Sequence, residues 1–279
     1  MKLGIFAKTF AGNTPLAVLS QARDAGYESV QYNMACSGIS SLPLEISEEI
    51  AEAVAAASAE TGVAIAAVSA TYNMVHPDLA EREKGRRSFA AIAAAASRMG
   101  TRLLTLCTGS CDPHDQWRYH PGNSSPSAWE EMCGEFRLLL AIANQQDIIL
   151  GVEPELANVI SSAQRARKLI DTFGNDRIQI VFDPANLFEV ETPERQNELV
   201  ENAIHLLGDS IALAHAKDRL SDGRFATAGT GVLDYSHYLS VLEKSGYRGD
   251  LITHGLAANE AERVAAFLKS RIAAAESSR

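Results

Sequence analysis

Cysteine is scarce in this chain, with only four among 279 residues. A long chain with so few thiols has no disulfide framework, and it is expected in a reducing cytoplasm. Basic side chains are in deficit, 25 against 35 acidic ones, which leaves a formal charge of −10. That balance speaks against nucleic acid or an anionic membrane surface as a partner, since both need a basic face. No uninterrupted apolar run approaches the ~20 residues of a membrane span. Lys8 follows Lys2 too soon for a secretory signal. No linker rich in Pro, Gly or Ser divides the chain, so residues 1–279 are expected to form one domain. No Gly-x-Gly-x-x-Gly follows the first apolar run and no Gly-x-Ser-x-Gly occurs, which disfavours a dinucleotide fold and a serine-elbow hydrolase. With 46% hydrophobic and 22% charged residues, the composition is that of a globule.

What is present is a repeat. Seven times a helix-period segment gives way within a few residues to a short apolar run. Gly26, Gly62, Gly100, Gly174, Gly208 and Gly246 stand at six of the joints, and Asn144–Asp147 at the seventh. Glycine suits a helix end because the left-handed closing residue costs nothing without a Cβ. The runs predict strands at Leu3–Ala7, Ser29–Tyr32, Val63–Val68, Arg102–Cys107, Ile148–Val152, Ile178–Phe182, Ile211–Ala214 and Leu251–Thr253. They are apolar throughout rather than alternating, as parallel strands covered on both faces are. Thr14-Pro15, Ser127 with Glu130, and Asn259 with Glu262 read as helix starts. Eight βα units in a chain near the usual ~250 residues predict an α/β fold, a single (β/α)8 TIM barrel.

Such barrels carry their chemistry just beyond the C-terminal ends of the strands. The residue past the fifth run is Glu153, past the sixth Asp183, past the seventh His215 and past the eighth His254. Only seven histidines occur in the chain, and two of them fall on this ring between carboxylates. Two imidazoles and two carboxylates suit one divalent ion, Mn²⁺ first, with Co²⁺, Zn²⁺ or Mg²⁺ as alternatives and Ca²⁺ disfavoured. Cys107 and Cys111 lack a matching second pair for a metal, and Cys107 is expected to pack in the barrel.

Other candidates surround the ring. Glu155 reads as a second partner, a base or a plain loop carboxylate. Asn186 can bond a substrate hydroxyl or cap a turn, and Lys217 can hold an oxyanion or lie in solvent. Asn73 and His76 follow the third run. The long segment Gly109–Pro126 carries Trp117, Arg118 and His120, suited to stacking on a sugar face and pairing its oxygens. Gly229-Thr230-Gly231 reads equally as a phosphate cradle or a tight turn.

At Val152-Glu153-Pro154, Phe182-Asp183-Pro184 and His215-Ala216-Lys217-Asp218 the chain resembles the sugar phosphate isomerase/epimerase superfamily, the xylose isomerase-like barrels that include tagatose and psicose epimerases and inosose dehydratases. The resemblance runs from Gly4 to the last helix and implies Glu153, Asp183 and His215 as metal ligands. Two positions depart from the epimerase pattern: Asn186 replaces a His, and His254 replaces the Glu that closes the eighth strand. The substrate implied is a small carbohydrate, phosphorylated or not, and homo-oligomers are common among the resembled enzymes.

The expected activity is a metal-dependent isomerase or epimerase of a sugar or keto-sugar, in which a proton leaves next to a metal-bound carbonyl and an enediolate forms. Glu153 or Glu155 serves as base, and His254 as ligand or proton shuttle. The rival outcome is β-elimination, which makes the enzyme a lyase or dehydratase. A DNA-cleaving relative needs more ligands and a basic groove. A non-catalytic metal- or sugar-binding protein is the remaining alternative.

Overall fold

The computed structural model describes residues 1–277. Eight parallel strands close into a barrel: β1 (Lys2–Phe6), β2 (Ser29–Tyr32), β3 (Ala64–Ser69), β4 (Leu103–Leu106), β5 (Ile149–Val152), β6 (Ile178–Phe182), β7 (Ile211–Ala216) and β8 (Asp250–Thr253), with β8 bonded back to β1. Eight α-helices alternate with them: α1 (Pro15–Asp24), α2 (Glu48–Thr61), α3 (Leu79–Ala96), α4 (Pro126–Gln146), α5 (Ala163–Phe173), α6 (Pro193–Leu207), α7 (Tyr235–Lys244) and α8 (Ala261–Ser277). This is the expected (β/α)8 barrel. Among the described residues no helix is long and apolar enough to cross a membrane.

The joints follow local chemistry with three corrections. Gly208 is right-handed (φ −45°), so it does not close α6 in the left-handed way expected. At the glycine-free joint Asp147 takes the left-handed conformation itself (φ 58°). Its carboxylate and carbonyl anchor Arg102, and the same carboxylate meets Arg177 at 3.0 Å, holding a backbone that favours Gly. Helix α4 starts on Ser125 and Pro126, two residues before the expected Ser127, because Ser125 Oγ accepts from the Ala128 amide. Ahead of α8, Glu260 rather than Glu262 reaches back to accept from the Ala257 amide.

The strand interior decides where function can sit. Side chains alternate between the lumen and the helix layer with period two. Ala67, Leu103, Val181, Leu213 and Ile252 form a small separate core inside the barrel, while neighbours such as Leu104, Leu150, Ile180 and Ala214 join the large core against the helices. Gly151 completes the lumen layer; a Cβ there would stand 3.0 Å from both Leu103 Cδ1 and Val181 Cγ2. The lumen is thus plugged below, and the next inward residues form the floor of the mouth.

One element was not anticipated. After β7 a short antiparallel hairpin, Asp218–Arg219 with Phe225–Ala226, rises beside the mouth.

Candidate metal centre

Two residues above Gly151, Val181, Leu213 and Ile252 stand Glu153, Asp183, His215 and His254. Period two therefore carries the lumen layer up into the donor layer. His215 lies within β7 rather than past its end, because that strand runs to Ala216, with Ile252 of β8 opposite His215. Each of the four offers one ligand atom, and these atoms all lie within 4.8 Å of one another.

The contacts inside the cluster are short. Glu153 Oε1 is 3.2 Å from His215 Nδ1, and Asp183 Oδ2 is 3.1 Å from His254 Nε2 and 3.8 Å from His215 Nδ1. Lys217 Nζ sits 3.2 Å from Asp183 Oδ2 and donates to Asn186 Oδ1 at 3.1 Å, while Asn186 Nδ2 donates to Glu153 Oε1 at 3.0 Å. Asn186 and Lys217 thus brace the two carboxylates; both are buried, and neither lines the main cavity at the mouth. Where a substrate hydroxyl or an oxyanion was expected, Asn186 and Lys217 here contact the carboxylates of the cluster itself.

The charges of the cluster are tied to one another. Burial alone would lower the His215 imidazole, but Glu153 and Asp183 outweigh it and push it up to about 9. Burial, then the charge of Glu153, pushes the Glu155 carboxyl up to about 8. Asp183 is held well below the carboxylate range: Lys217 and hydrogen bonds from both histidines overcome its burial. Burial and the neighbouring His215 lower His254. Two carboxylates with two imidazoles, their ligand atoms all within 4.8 Å of one another, are a donor set for a borderline divalent ion. The residues fit such an ion.

The wall from β2 to β4 is uncharged, and Lys8, after β1, also lines the cavity. Gln31, Ser69, Thr71 and Thr105, from β2 to β4, line the same cavity of about 410 Å³ as Glu153, Glu155, His215 and His254. Gln31 Nε2 donates to Ser69 Oγ and Thr105 Oγ1, each at 3.1 Å, so its Oε1 accepts from His215 Nε2 at 2.8 Å. That bond keeps the proton on Nε2 and turns Nδ1 toward the carboxylates. A register shift between Val30 and Gln31 against β3 accompanies this placement. Reading only for strong ligand types beyond strand ends passed over these residues; Ser69 and Thr105 stand two steps above the lumen residues Ala67 and Leu103. Cys107 packs at the barrel mouth, with Sγ 3.8 Å from Glu153 Oε2, away from any pairing with Cys111.

The remaining candidates divide. Trp117 lines the cavity. Arg118 does not; it is exposed and meets Asp112 at 3.4 Å. His120 Nδ1 accepts from the Gly122 amide at 3.0 Å, a local cap. Asn73 donates to the Ser110 carbonyl at 2.8 Å, and His76 Nδ1 accepts from the Asp78 amide at 3.0 Å, so both hold loops beside a cavity of about 270 Å³ that shares Leu42, Thr71 and Gln116 with the donor cavity. These four short-range bonds satisfy the side chains before they can reach the centre. The Gly229 and Gly231 amides both donate to Asp218 Oδ2, at 3.1 and 3.0 Å, so the glycine pair is a carboxylate-filled turn and not a phosphate cradle.

Comparison with known proteins agrees with this architecture. Residues 19–271 match the model of the xylose isomerase-like TIM barrel family. No curated protein sequence matches the chain. Among solved structures the chain is similar to a 3-keto-D-glucoside 4-epimerase from E. coli, at 18% identity and a TM-score of 0.77 over 97% of this chain and 99% of that one. It is similar to D-psicose 3-epimerase from Clostridium cellulolyticum H10, at 13% identity and a TM-score of 0.72 over 98% and 99%. It is also similar to the IOLI protein with a zinc atom bound, at 15% identity and a TM-score of 0.72 over 98% of each chain. With the closed barrel and this match over most of its length, the chain belongs to the xylose isomerase-like TIM barrel family.

Proposed function

We propose that the protein is a divalent-metal-dependent isomerase or epimerase of a sugar or keto-sugar, acting by loss and return of a proton next to a carbonyl. The observation that carries this reading is the meeting of Glu153, Asp183, His215 and His254 around one point at the barrel mouth. A cation held by those four, Mn²⁺ in first place, supplies Lewis-acid polarisation of a carbonyl and its neighbouring hydroxyl. Gln31, Ser69, Thr71 and Thr105 offer uncharged groups that match sugar hydroxyls. Glu153 belongs to the donor set and its Oε1 accepts from Asn186, which leaves Glu155 as the freer carboxyl in the cavity wall and the better proton carrier. His254 also lines the cavity and either completes the donor set or carries a proton on the other face. The shared fold with two sugar epimerases and with a zinc-holding barrel supports the reading.

The test is exchange in D₂O with the Mn²⁺-loaded protein and a panel of ketoses, read by NMR. Deuterium should enter at the carbon beside the carbonyl. Glu155→Gln should abolish exchange and keep Mn²⁺, whereas Glu153→Gln should lose both. Metal bound without exchange on any ketose refutes the proposal, and loss of water or of an aglycone moves it to the lyase.

A further inference from the structure

A second chamber, of about 710 Å³, adjoins the cavity of the donor cluster and shares two of its walls, Trp117 and Glu155. Its other walls include Tyr119, Leu156 and Phe225. Among the described residues the only exposed aromatic rings of the chain are Trp117 (50%), Tyr119 (62%) and Phe225 (51%), and all three converge here from two separate insertions. Trp117 and Tyr119 come from the loop after β4, and Phe225 from the hairpin after β7. Phe225 is held in place by two cations, with Lys217 Nζ 3.8 Å and Arg219 Cζ 4.1 Å from its ring centre. Apolar ring faces kept in water are costly unless something flat covers them.

The chamber's charges say what does not belong there. Its carboxylates are Glu155 and Glu189, and its cation is Arg219. That guanidinium is buried; its Nε donates to the Ala185 carbonyl at 2.5 Å and its Nη1 to the Gly223 carbonyl. A phosphate there would find one cation, Arg219, already bonded to two backbone carbonyls and standing beside Glu155 and Glu189. An uncharged ring with one apolar face and a polar edge fits both the aromatics and the carboxylates.

We propose that this chamber is a subsite for an uncharged ring joined by a glycosidic bond to the sugar at the donor cluster, so that the substrate is a glycoside rather than a free or phosphorylated monosaccharide. The proposal rests on the reading above only in placing the reacting sugar at the cluster. Trp117 reports on it directly, because the chain's other tryptophan, Trp129, lies on α4 under Lys168 and Arg165.

The experiment titrates Mn²⁺-loaded Trp129→Phe protein, read by Trp117 fluorescence and by calorimetry. The probes are D-glucose, D-galactose and D-mannose, their methyl and phenyl glycosides, their 6-phosphates, and the disaccharides cellobiose, maltose and lactose. At least one phenyl glycoside or disaccharide should bind about tenfold or more tightly than its parent sugar. Gain with disaccharides marks a sugar in the chamber, and gain with phenyl glycosides a flat aglycone. Tyr119→Ala or Phe225→Leu should erase the gain and leave the parent sugar's affinity alone. The proposal is overturned if no glycoside exceeds its parent, if the gain survives both substitutions, or if the 6-phosphates show it instead. It also falls if Tyr119→Ala changes the sedimentation coefficient and not glycoside binding, since the rim is then a contact between copies. Glycoside gain without proton exchange in D₂O leaves the subsite standing and removes the isomerase reading. Exchange on free ketoses without glycoside gain does the reverse.

Discussion

The two halves of the barrel mouth use one register and opposite chemistry. From β5 to β8 the inward residues above the lumen layer are Glu153, Asp183, His215 and His254; from β2 to β4 they are Gln31, Ser69 and Thr105. The charged half is costly to bury, and it is tolerated because Lys217, Asn186 and an added cation can satisfy it. The neutral half costs little, and through Gln31 it reaches across the lumen to orient a histidine of the charged half. Binding strength is therefore concentrated on one side and orientation on the other.

The largest break in that division is Asp183→Asn. Its Oδ2 faces three cationic or donor groups, so the loss in Mn²⁺ affinity should exceed the roughly 100-fold that bounds the effect of an outer partner. Wild-type protein at 100 times Kd should gain about 2.7 kcal/mol of stability from Mn²⁺, read by thermal or urea unfolding, and the variant should gain less than about 0.4 kcal/mol under the same conditions.

Gln31→Leu tests whether the neutral half orients the charged one. It removes the acceptor of His215 Nε2 and should weaken Mn²⁺ about 10- to 100-fold while the barrel still folds. Unchanged affinity by calorimetry would mean that His215 needs no partner across the lumen.

Thr105→Val probes one step further out. Gln31 keeps Ser69 and loses one of its two acceptors, a change of about 1 kcal/mol, seen as a shift of several-fold in Mn²⁺ affinity and a smaller one in unfolding midpoint.

Tyr72→Phe is the control outside the mouth. The Tyr72 hydroxyl donates to Glu135 Oε2 at 2.8 Å, and Glu135 keeps Arg86, so stability should fall by about 1 kcal/mol with Mn²⁺ affinity unmoved. A change in metal affinity there would show that the helix layer, not only the mouth, sets the centre.

Legibility differed between the halves for a physical reason. Glu153, Asp183 and His254 could be read because strong ligand types at a strand end are rare, and the apolar run before each marks the place. Gln31, Ser69 and Thr105 lie inside strands and are of types found everywhere; only the lumen register singles them out. His76 and Asn73 were expected at the mouth and line the cavity beside it, bonded to the neighbouring loop, while Arg118 pairs with Asp112 and His120 caps its own turn. The hairpin carrying Phe225 gave no signal, because two-residue strands have no period to read.

By itself the sequence determined the eight βα units, the closed barrel and the four candidate donors near strand ends, because helix caps, glycine joints and apolar runs act over a few residues. Only the tertiary structure decided that His215 stands inside its strand, that Gln31 faces it, that Lys217 turns inward to Asp183, and that rings from two distant insertions share one chamber. The reason is that alternation along a strand is local, whereas what faces a side chain across a lumen depends on the stagger of strands far apart in the chain.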